Sequence, residues 1–252
     1  MTYEIRPMSF GEILDMGFRI IRDSFMPLIS IAAVIYVPIA VATDWFAHDP
    51  TGAMAIGVLA ATGLAFLVAS PIVSAAVIFA VGEAYLGRPV EFAKSFRSVM
   101  PIIFPLLGTT LLGALYVIGG YLLLIIPGVY LQLCYILAWQ VMVLERLFGR
   151  RALSRSRALM RGNLLRGFGV LFIGALIIAV TSQMLQLVLG FIPFLGPVAA
   201  GLAQAAGAAY TSAITVVLYF DIRCRKEAFD LEHLARIVEA KGAMDTLVPS
   251  VP

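Results

Sequence analysis

The segment ERLFGRRALSRSRALMRGNLLR, at residues 145–166, holds seven arginines within a chain that is otherwise strongly apolar. Hydrophobic residues make up 61% of the 252 positions, and charged residues only 13%. An average soluble domain carries about 25% charged residues, so this composition indicates a membrane protein. The arginine segment is then expected outside the hydrocarbon, and the apolar stretches on either side of it are candidate membrane crossings.

Six apolar stretches are long enough to cross, because a helix needs roughly 20 apolar residues to span a bilayer core of about 30 Å. They lie approximately at 26–43, 54–86, 102–126, 129–148, 167–191 and 196–221. The sequences IPGVY and FIPFLGP predict tight turns after the third and fifth stretches, at Pro127 and Pro193. The sequence therefore predicts an all-α polytopic membrane protein with six transmembrane helices.

The basic residues predict the orientation of these crossings. All 18 lysines and arginines lie before the first stretch, between the second and third, between the fourth and fifth, or after the sixth. The other three connections contain none. Lysine and arginine accumulate in cytoplasmic loops, so both termini and the basic connections are predicted to be cytoplasmic.

Three of the basic segments also carry apolar residues at the spacing of a helix face, which predicts three amphipathic helices in the membrane interface. The predicted faces are Phe10, Ile13, Leu14, Phe18, Ile21 and Phe25; then Phe92, Phe96 and Val99; then Phe148, Ala152, Leu153, Ser156, Leu159 and Met160. Ser9 and Glu12 have the spacing of a capping box at the start of the first helix.

An internal repeat relates these segments. FRIIRDSFMPL at 18–28 aligns without a gap with FRSVMPIIFPL at 96–106, and SRALMRGNLLRGF at 156–168 follows the same plan with one extra residue. Each unit is predicted to be one interfacial helix followed by two crossings. The predicted units cover about 9–86, 89–148 and 149–221. Together they form one membrane domain, 1–225, followed by a cytoplasmic tail, 226–252.

Acidic residues at the ends of crossings are the candidate functional groups, because ionisable residues at membrane depth are costly. Glu83, Glu145 and Asp221 each end the second crossing of a unit. Two interpretations stay open: boundary carboxylates that are hydrated or paired with arginines, or a cluster that handles protons or cations. We expect Arg157 and Arg161, four residues apart on one helix face, to contact Glu145 or Asp221.

The remaining arginines of the third amphipathic helix are expected to contact lipid. Arg150, Arg151 and Arg155 are predicted to face anionic headgroups, since each basic residue near such a surface adds about 1 kcal/mol of attraction. Ala199, Ala203, Gly207 and Thr211 recur every four residues, a small-residue pattern that serves either packing within the bundle or a homodimer.

The motifs of common enzymes are absent from the sequence. Its two histidines, His48 and His233, lie outside the predicted crossings, and there is no HExxH, CxxC, GxxxxGK[ST] or GxGxxG sequence. We therefore expect no enzymatic activity, no metal and no cofactor. Nucleic-acid binding is not expected either, because no soluble domain is available to read a groove.

Three segments carry a resemblance to a known group of proteins: RPMSFGEILDMGFRIIRDSF, MVLERLFGRRALSRSRALMRGN and LYFDIRCRKEAFDLEHLA. The chain resembles uncharacterised bacterial integral membrane proteins that are similar to the membrane domain of some glycerophosphoryl diester phosphodiesterases and, more distantly, to the YciC-like proteins. The resemblance implies a multi-spanning module of the bacterial inner membrane. The soluble catalytic barrel of those phosphodiesterases has no counterpart in this sequence.

Two functions follow as expectations. The first is a non-enzymatic membrane module that acts as a scaffold or partner in envelope or lipid metabolism, with a membrane protein as its partner. The second is a transporter or lipid-handling protein for a small or amphipathic solute. A polar cavity reaching the midplane would favour the second, and a dry, closed bundle would favour the first.

Overall fold

A computed structural model describes residues 6–47, 53–189, 192 and 195–227. All regular elements in this part of the chain are helical. The helices are α1 (Phe10–Asp23), α2 (Phe25–Ala47), α3 (Ala53–Tyr85), α4 (Phe92–Val99), α5 (Ile103–Leu123), α6 (Ile125–Cys134), α7 (Ala138–Gln140), α8 (Arg150–Met160), α9 (Leu164–Leu189) and α10 (Leu195–Glu227). A 3-10 turn, Met100–Ile102, precedes α5, and a π turn, Val141–Glu145, follows α7.

Six helical segments are long and apolar enough to cross a membrane, so the protein is an all-α, multi-pass membrane protein, as the sequence predicts. The segments are Phe25–Trp45, Ala60–Tyr85, Phe92–Leu123, Ile125–Glu145, Leu164–Leu189 and Leu195–Glu227. Pro193 and the tail from residue 228 onward lie outside the described residues. The proposed boundaries of the repeat units stay a prediction.

Helix α10 is the centre of the bundle. In its most apolar window 78% of the residues are buried, against 17% for α9, because α10 packs on α1, α2, α3 and α9. A Cβ atom on Gly201 would lie 2.7 Å from the Cα of Val37 and 3.0 Å from the carbonyl oxygen of Tyr36. Only glycine therefore allows α10 to approach the backbone of α2 this closely.

The fourth crossing is not the continuous helix expected over 129–148. It begins at Ile125, directly after the extended residue Leu124, so Pro127 lies in the first turn of α6 rather than in the connection. Proline is tolerated there because the first backbone N–H groups of a helix have no partner within it. The helix then breaks after Cys134, and the chain continues through α7 and the π turn.

Helix α8, the arginine helix, packs against this break. The Ser156 hydroxyl donates to the Cys134 carbonyl at 2.8 Å, and so satisfies a group that the interrupted helix leaves without an intrahelical partner. Buried residues form one face of α8: Ala152, Leu153, Ser156, Leu159 and Met160. The break in the fourth crossing is therefore stabilised by a segment that follows it in sequence.

Helix α1 begins with the predicted capping box, which the structure confirms. The Ser9 backbone N–H donates to Glu12 Oε2 at 2.6 Å, and the Glu12 N–H donates to the Ser9 hydroxyl at 3.4 Å. Its buried residues are Ile13, Gly17 and Ile20, and α1 packs against α10. Phe10, Phe18 and Phe25 remain exposed, so the predicted apolar face divides into an inward and an outward part.

Candidate functional site

Most charged side chains of the described residues gather where α3, the π turn and α10 end, together with α4, α8 and the start of α9. We call this region the charged end. It contains the three predicted carboxylates, and each of them belongs to a separate set of contacts.

Asp221 is the most buried of the three, with a fully buried side chain. Its Oδ2 atom lies 2.9 Å from Nη2 of Arg166, at the start of α9, and its Oδ1 atom lies 3.1 Å from Nε of Arg225. The backbone N–H of Met8 also donates to Oδ1, at 2.7 Å. Both arginines in turn donate to the Met8 carbonyl. These groups join the segment before α1, the start of α9 and the end of α10.

Glu145, in the π turn, takes part in a second network. Nε of Arg155 lies 2.9 Å from Glu145 Oε2, and the Tyr219 hydroxyl donates to Oε1 at 2.7 Å. Arg155 also pairs with Glu227, which receives a further hydrogen bond from Arg223 at 3.0 Å. One arginine of α8 thus holds the π turn and the end of α10 together.

Glu83 forms a more exposed set of contacts near the end of α3. Its two carboxylate oxygens lie 3.0 Å from Arg88 Nη1 and 2.7 Å from Lys94 Nζ. The Glu83 side chain is 10% exposed, whereas those of Arg88 and Lys94 are 62% and 47% exposed. Water therefore screens this set far more than it screens Asp221.

The three carboxylates share one connectivity. Glu83 contacts Lys94 in α4, eleven residues later, and Glu145 contacts Arg155 in α8, ten residues later. Asp221 contacts Met8, directly before the cap residue of α1. Glu83 and Glu145 therefore each bind the beginning of the next predicted unit, and Asp221 binds the residue directly before the first unit. We call these three sets of contacts the joints.

The predicted division of labour among the arginines is wrong. Arg155, expected at lipid headgroups, contacts Glu145, while neither Arg157 nor Arg161 pairs with Glu145 or Asp221 within the described residues. Helix α8 lies with its buried face on the broken fourth crossing, and this rotation directs Arg155 toward the π turn and α10. Arg161 follows the last residue of α8 with a non-helical backbone, so the spacing of Arg157 and Arg161 does not continue the helix to a shared acidic partner.

The other arginines of α8 have different surroundings. Arg157 donates to the Tyr135 hydroxyl at 2.8 Å and lies 5.6 Å from the centre of its ring. The carbonyl of Arg161 accepts a hydrogen bond from Lys226 at 2.6 Å, which caps the C-terminal end of α8. Arg150 and Arg151 are exposed, which leaves their predicted contact with lipid headgroups as a prediction.

Several members of the joints were not predicted: Arg166, Arg225, Lys94, Tyr219 and Glu227. The i,i+4 spacing of Asp221 with Arg225 and of Arg223 with Glu227 is a signal that the sequence did contain. The contact of Met8 with Asp221 spans 213 residues, and no local pattern indicates it.

Hydrogen bonding and ion pairing move two pKa values outside the crossings, those of Arg155 in α8 and Glu12 in α1. Hydrogen bonds with Glu227 and then Glu145 raise the pKa of Arg155 above its ordinary value. Glu12 accepts from the Ser9 backbone N–H, the largest cause, and from Arg6, and these contacts lower its pKa from 4.5 to about 2. Both shifts favour the charged form of the side chain.

The interior between α7 and α10 contains one polar contact. Gln140 is buried, and its Nε2 atom donates to the Thr215 hydroxyl at 2.7 Å. Among the described residues, Gln140 Oε1 is the buried side-chain oxygen that has no hydrogen-bond partner. Gln183 and Gln186, which share a face of α9, are exposed rather than directed into the bundle. These groups do not form a continuous polar path in the part of the chain that the structure describes.

A groove of about 390 Å³ lies between α5, the α6–α7 segment and α8. Thr109, Gly113 and Val117 line it from α5, Tyr135 and Met142 from the fourth crossing, and Leu153 from α8. Its lining is mainly apolar, and it lies beside the arginines of α8.

No group of three or more His, Cys, Asp or Glu side chains that could hold a metal ion occurs among the described residues. Comparison with protein-family models, with curated proteins and with solved structures finds no match for the chain. The resemblance to the membrane domain of glycerophosphoryl diester phosphodiesterases and to the YciC-like proteins therefore stays a prediction.

Proposed function

We propose that the protein is a non-enzymatic module of the bacterial inner membrane that acts as a scaffold or partner in envelope or lipid metabolism. The observation that carries this proposal is the use of the three acids near the ends of crossings. Each binds basic or backbone groups that hold helices together. A carboxylate that transports ions or protons must release one partner and bind another. If these three acids released their partners, the helices that they hold together would separate.

The interior supports the same proposal. Helix α10 is enclosed on most of its surface by apolar neighbours, and small residues such as Gly201 bring it into close contact with α2. Close-packed interiors of this kind contain few voids larger than a water molecule. Close packing at the centre of the bundle thus favours a rigid, closed interior over a pathway for a polar solute.

The distribution of lysine and arginine supports the orientation within this proposal. The charged end faces the cytoplasm, with both termini on that side and the predicted turn at Pro193 on the other. Cysteines introduced singly at Thr51 and Ser250 test the orientation with a membrane-impermeant thiol reagent in intact cells. Thr51 should be labelled and Ser250 should not, and the reverse result would invert the topology.

Cysteine accessibility along α10 separates a closed module from a transporter. The natural cysteines, Cys134 and Cys224, are buried and are first replaced by alanine. Single cysteines then replace Ala205 and Ala209, which are fully buried, and Ser154, which is exposed on α8 as the matched control. In inside-out vesicles a water-soluble maleimide should label position 154 alone. Rapid labelling at 205 and 209 would contradict the closed module.

The partner itself is tested by photo-crosslinking in cells. A photoreactive amino acid replaces Arg97 or Arg151, both exposed at the charged end, and Leu122, which is 83% exposed at the far end of α5. A scaffold that binds through the charged end should give a discrete protein adduct at Arg97 or Arg151 but not at Leu122. Adducts with lipid alone at all three positions would contradict the scaffold.

A lipid-handling role is the second candidate, and the groove beside α8 favours it. The residues that line the groove belong to α5, the fourth crossing and α8 and not to α10, so a lipid could occupy it while the centre of the bundle stays closed.

A further inference from the structure

The side-chain oxygen atoms that line the groove are already hydrogen-bonded within the protein. The Thr109 hydroxyl donates to the Pro105 carbonyl at 2.7 Å, and the Thr110 hydroxyl donates to the Leu106 carbonyl at 2.9 Å. At the other end the Tyr121 hydroxyl donates to Gln132 at 2.6 Å. The surface left to an occupant is formed mainly by apolar side chains, so the groove suits a hydrocarbon chain better than a polar solute.

The dimensions of the groove also fit a single chain. Its lining on α5 extends from Thr109 to Tyr121, a distance of about 18 Å along a helix. This is more than half of a bilayer core of about 30 Å, and so corresponds to the depth of one leaflet. The volume of about 390 Å³ lies within the usual range for ligand sites, roughly 300–1,000 Å³.

Two arginines of α8 lie beside the groove. The N–H of Gly149 donates to the hydroxyl of Thr109, a lining residue, so the adjacent Arg150 begins α8 at this point. Arg157 binds the hydroxyl of Tyr135, another lining residue. Arg150 lies three residues before Leu153, which lines the groove, and Arg157 lies four residues after it. Both arginines therefore share the helix face of Leu153.

We infer that this groove binds one acyl chain of an anionic phospholipid from the leaflet at the charged end. The phosphate of that phospholipid lies beside Arg150 and Arg157. The inference goes beyond the proposed module, because the lipid would bind whether or not a protein partner does. A second copy of the chain is the less suitable occupant. Two copies in one membrane share an orientation, so their arginine helices would meet at the same level and repel each other.

The test uses the purified protein in nanodiscs of phosphatidylcholine that contain a small fraction of phosphatidylglycerol. Native mass spectrometry counts the lipid that remains bound after the protein is released. Ala114→Phe fills the groove, and Leu115→Phe is its matched control, because Leu115 is the next residue on α5 and is 58% exposed. We expect one phosphatidylglycerol on the wild type and on Leu115→Phe, and none on Ala114→Phe.

The headgroup contact is tested separately with Arg150→Gln and Arg157→Gln in one chain. Removal of two charges near the headgroup should weaken the retention of phosphatidylglycerol about 30-fold. Arg151→Gln, exposed and one residue from Arg150, should change it much less. Thermal melting in detergent accompanies each variant, and Arg150→Gln alone provides a substitution at an exposed position should the double variant not fold.

Three results would overturn the inference. Retention of phosphatidylglycerol by a folded Ala114→Phe variant would place the lipid elsewhere. Equal retention of phosphatidylcholine and phosphatidylglycerol by the wild type would remove the role of the two arginines. A crosslink between two copies through a cysteine at Val117 would show that a second chain occupies the groove.

Discussion

Asp221 and Glu83 lie at the same end of the bundle, and each binds two basic side chains, but their surroundings differ. The Asp221 side chain is fully buried, and its arginine partners are 22% and 40% exposed. It also accepts from the backbone of Met8. Glu83 is nearly as buried, but its partners Arg88 and Lys94 are more exposed, at 62% and 47%. The two joints therefore differ in burial although each contains two ion pairs.

The difference lies in what each acid holds together. Contacts of Asp221 connect parts of the chain 213 and 55 residues apart, whereas Glu83 binds residues that follow it by five and eleven. Breaking a buried pair leaves a desolvated charge behind, while an exposed pair is replaced by water at little cost. The Asp221 joint should thus stabilise the bundle, and the Glu83 joint should mainly position α4.

The largest expected effect is that of Asp221→Asn, which preserves shape but removes the charge. It should lower the free energy of unfolding in detergent by about 3 kcal/mol. This value is at the low end of the usual cost of breaking a buried ion pair, because both arginines are partly exposed to solvent. Glu83→Gln is the matched control and should cost about 0–1 kcal/mol. Denaturation followed by circular dichroism measures both. Equal losses would mean that burial does not distinguish the two joints.

An intermediate effect is expected for Arg155→Gln, since this side chain is 28% exposed and binds both Glu145 and Glu227. Its loss should cost about 1.5–3 kcal/mol, the usual value for hydrogen bonds to charged groups. Arg157→Gln removes an exposed contact with Tyr135 and should cost about 0.5–1 kcal/mol. Thermal melting of the two variants side by side gives the comparison, and a larger loss for Arg157→Gln would contradict the assigned pairing.

The sequence predicted the crossings and the end at which charge accumulates, because hydropathy and the segregation of lysine and arginine are properties of long segments. It did not predict which arginine meets which acid. A flexible arginine side chain can reach acids on several elements, so the pairing depends on how α8 is rotated. That rotation is set by the break after Cys134, a position without a nearby proline or glycine to indicate it.

The capping box illustrates the opposite case. Ser9 and Glu12 are three residues apart, and their contacts depend only on local helix geometry, so the sequence was sufficient. The joint at Asp221 instead requires the N-terminal segment to return to the end of α10. Contacts between residues close in sequence were predictable, and contacts that join distant segments were not.

The smallest expected effect concerns the pH dependence of this capping box. The pKa of Glu12 is lowered from 4.5 to about 2, so its contribution is complete above 4.5 and is lost as the pH falls to about 2. Glu12→Gln keeps an acceptor for the Ser9 N–H and removes only the charge. The difference in melting temperature between wild type and Glu12→Gln should be constant above pH 4.5 and decrease toward pH 2. A difference that grows as the pH falls would contradict the lowered pKa.

A double-mutant cycle between Asp221 and Arg166 tests the structural role of the joints most directly. Asp221→Asn, Arg166→Gln and the double variant are unfolded in the same detergent, and the cycle Glu83→Gln with Lys94→Gln is measured beside them. If the acids hold helices together, Asp221 and Arg166 should couple by about 0.5–3 kcal/mol, with a clearly smaller value for Glu83 and Lys94. If the losses in free energy of unfolding caused by Asp221→Asn and Arg166→Gln are additive, the account is contradicted. Asp221 would then not stabilise the bundle through its contact with Arg166 in α9.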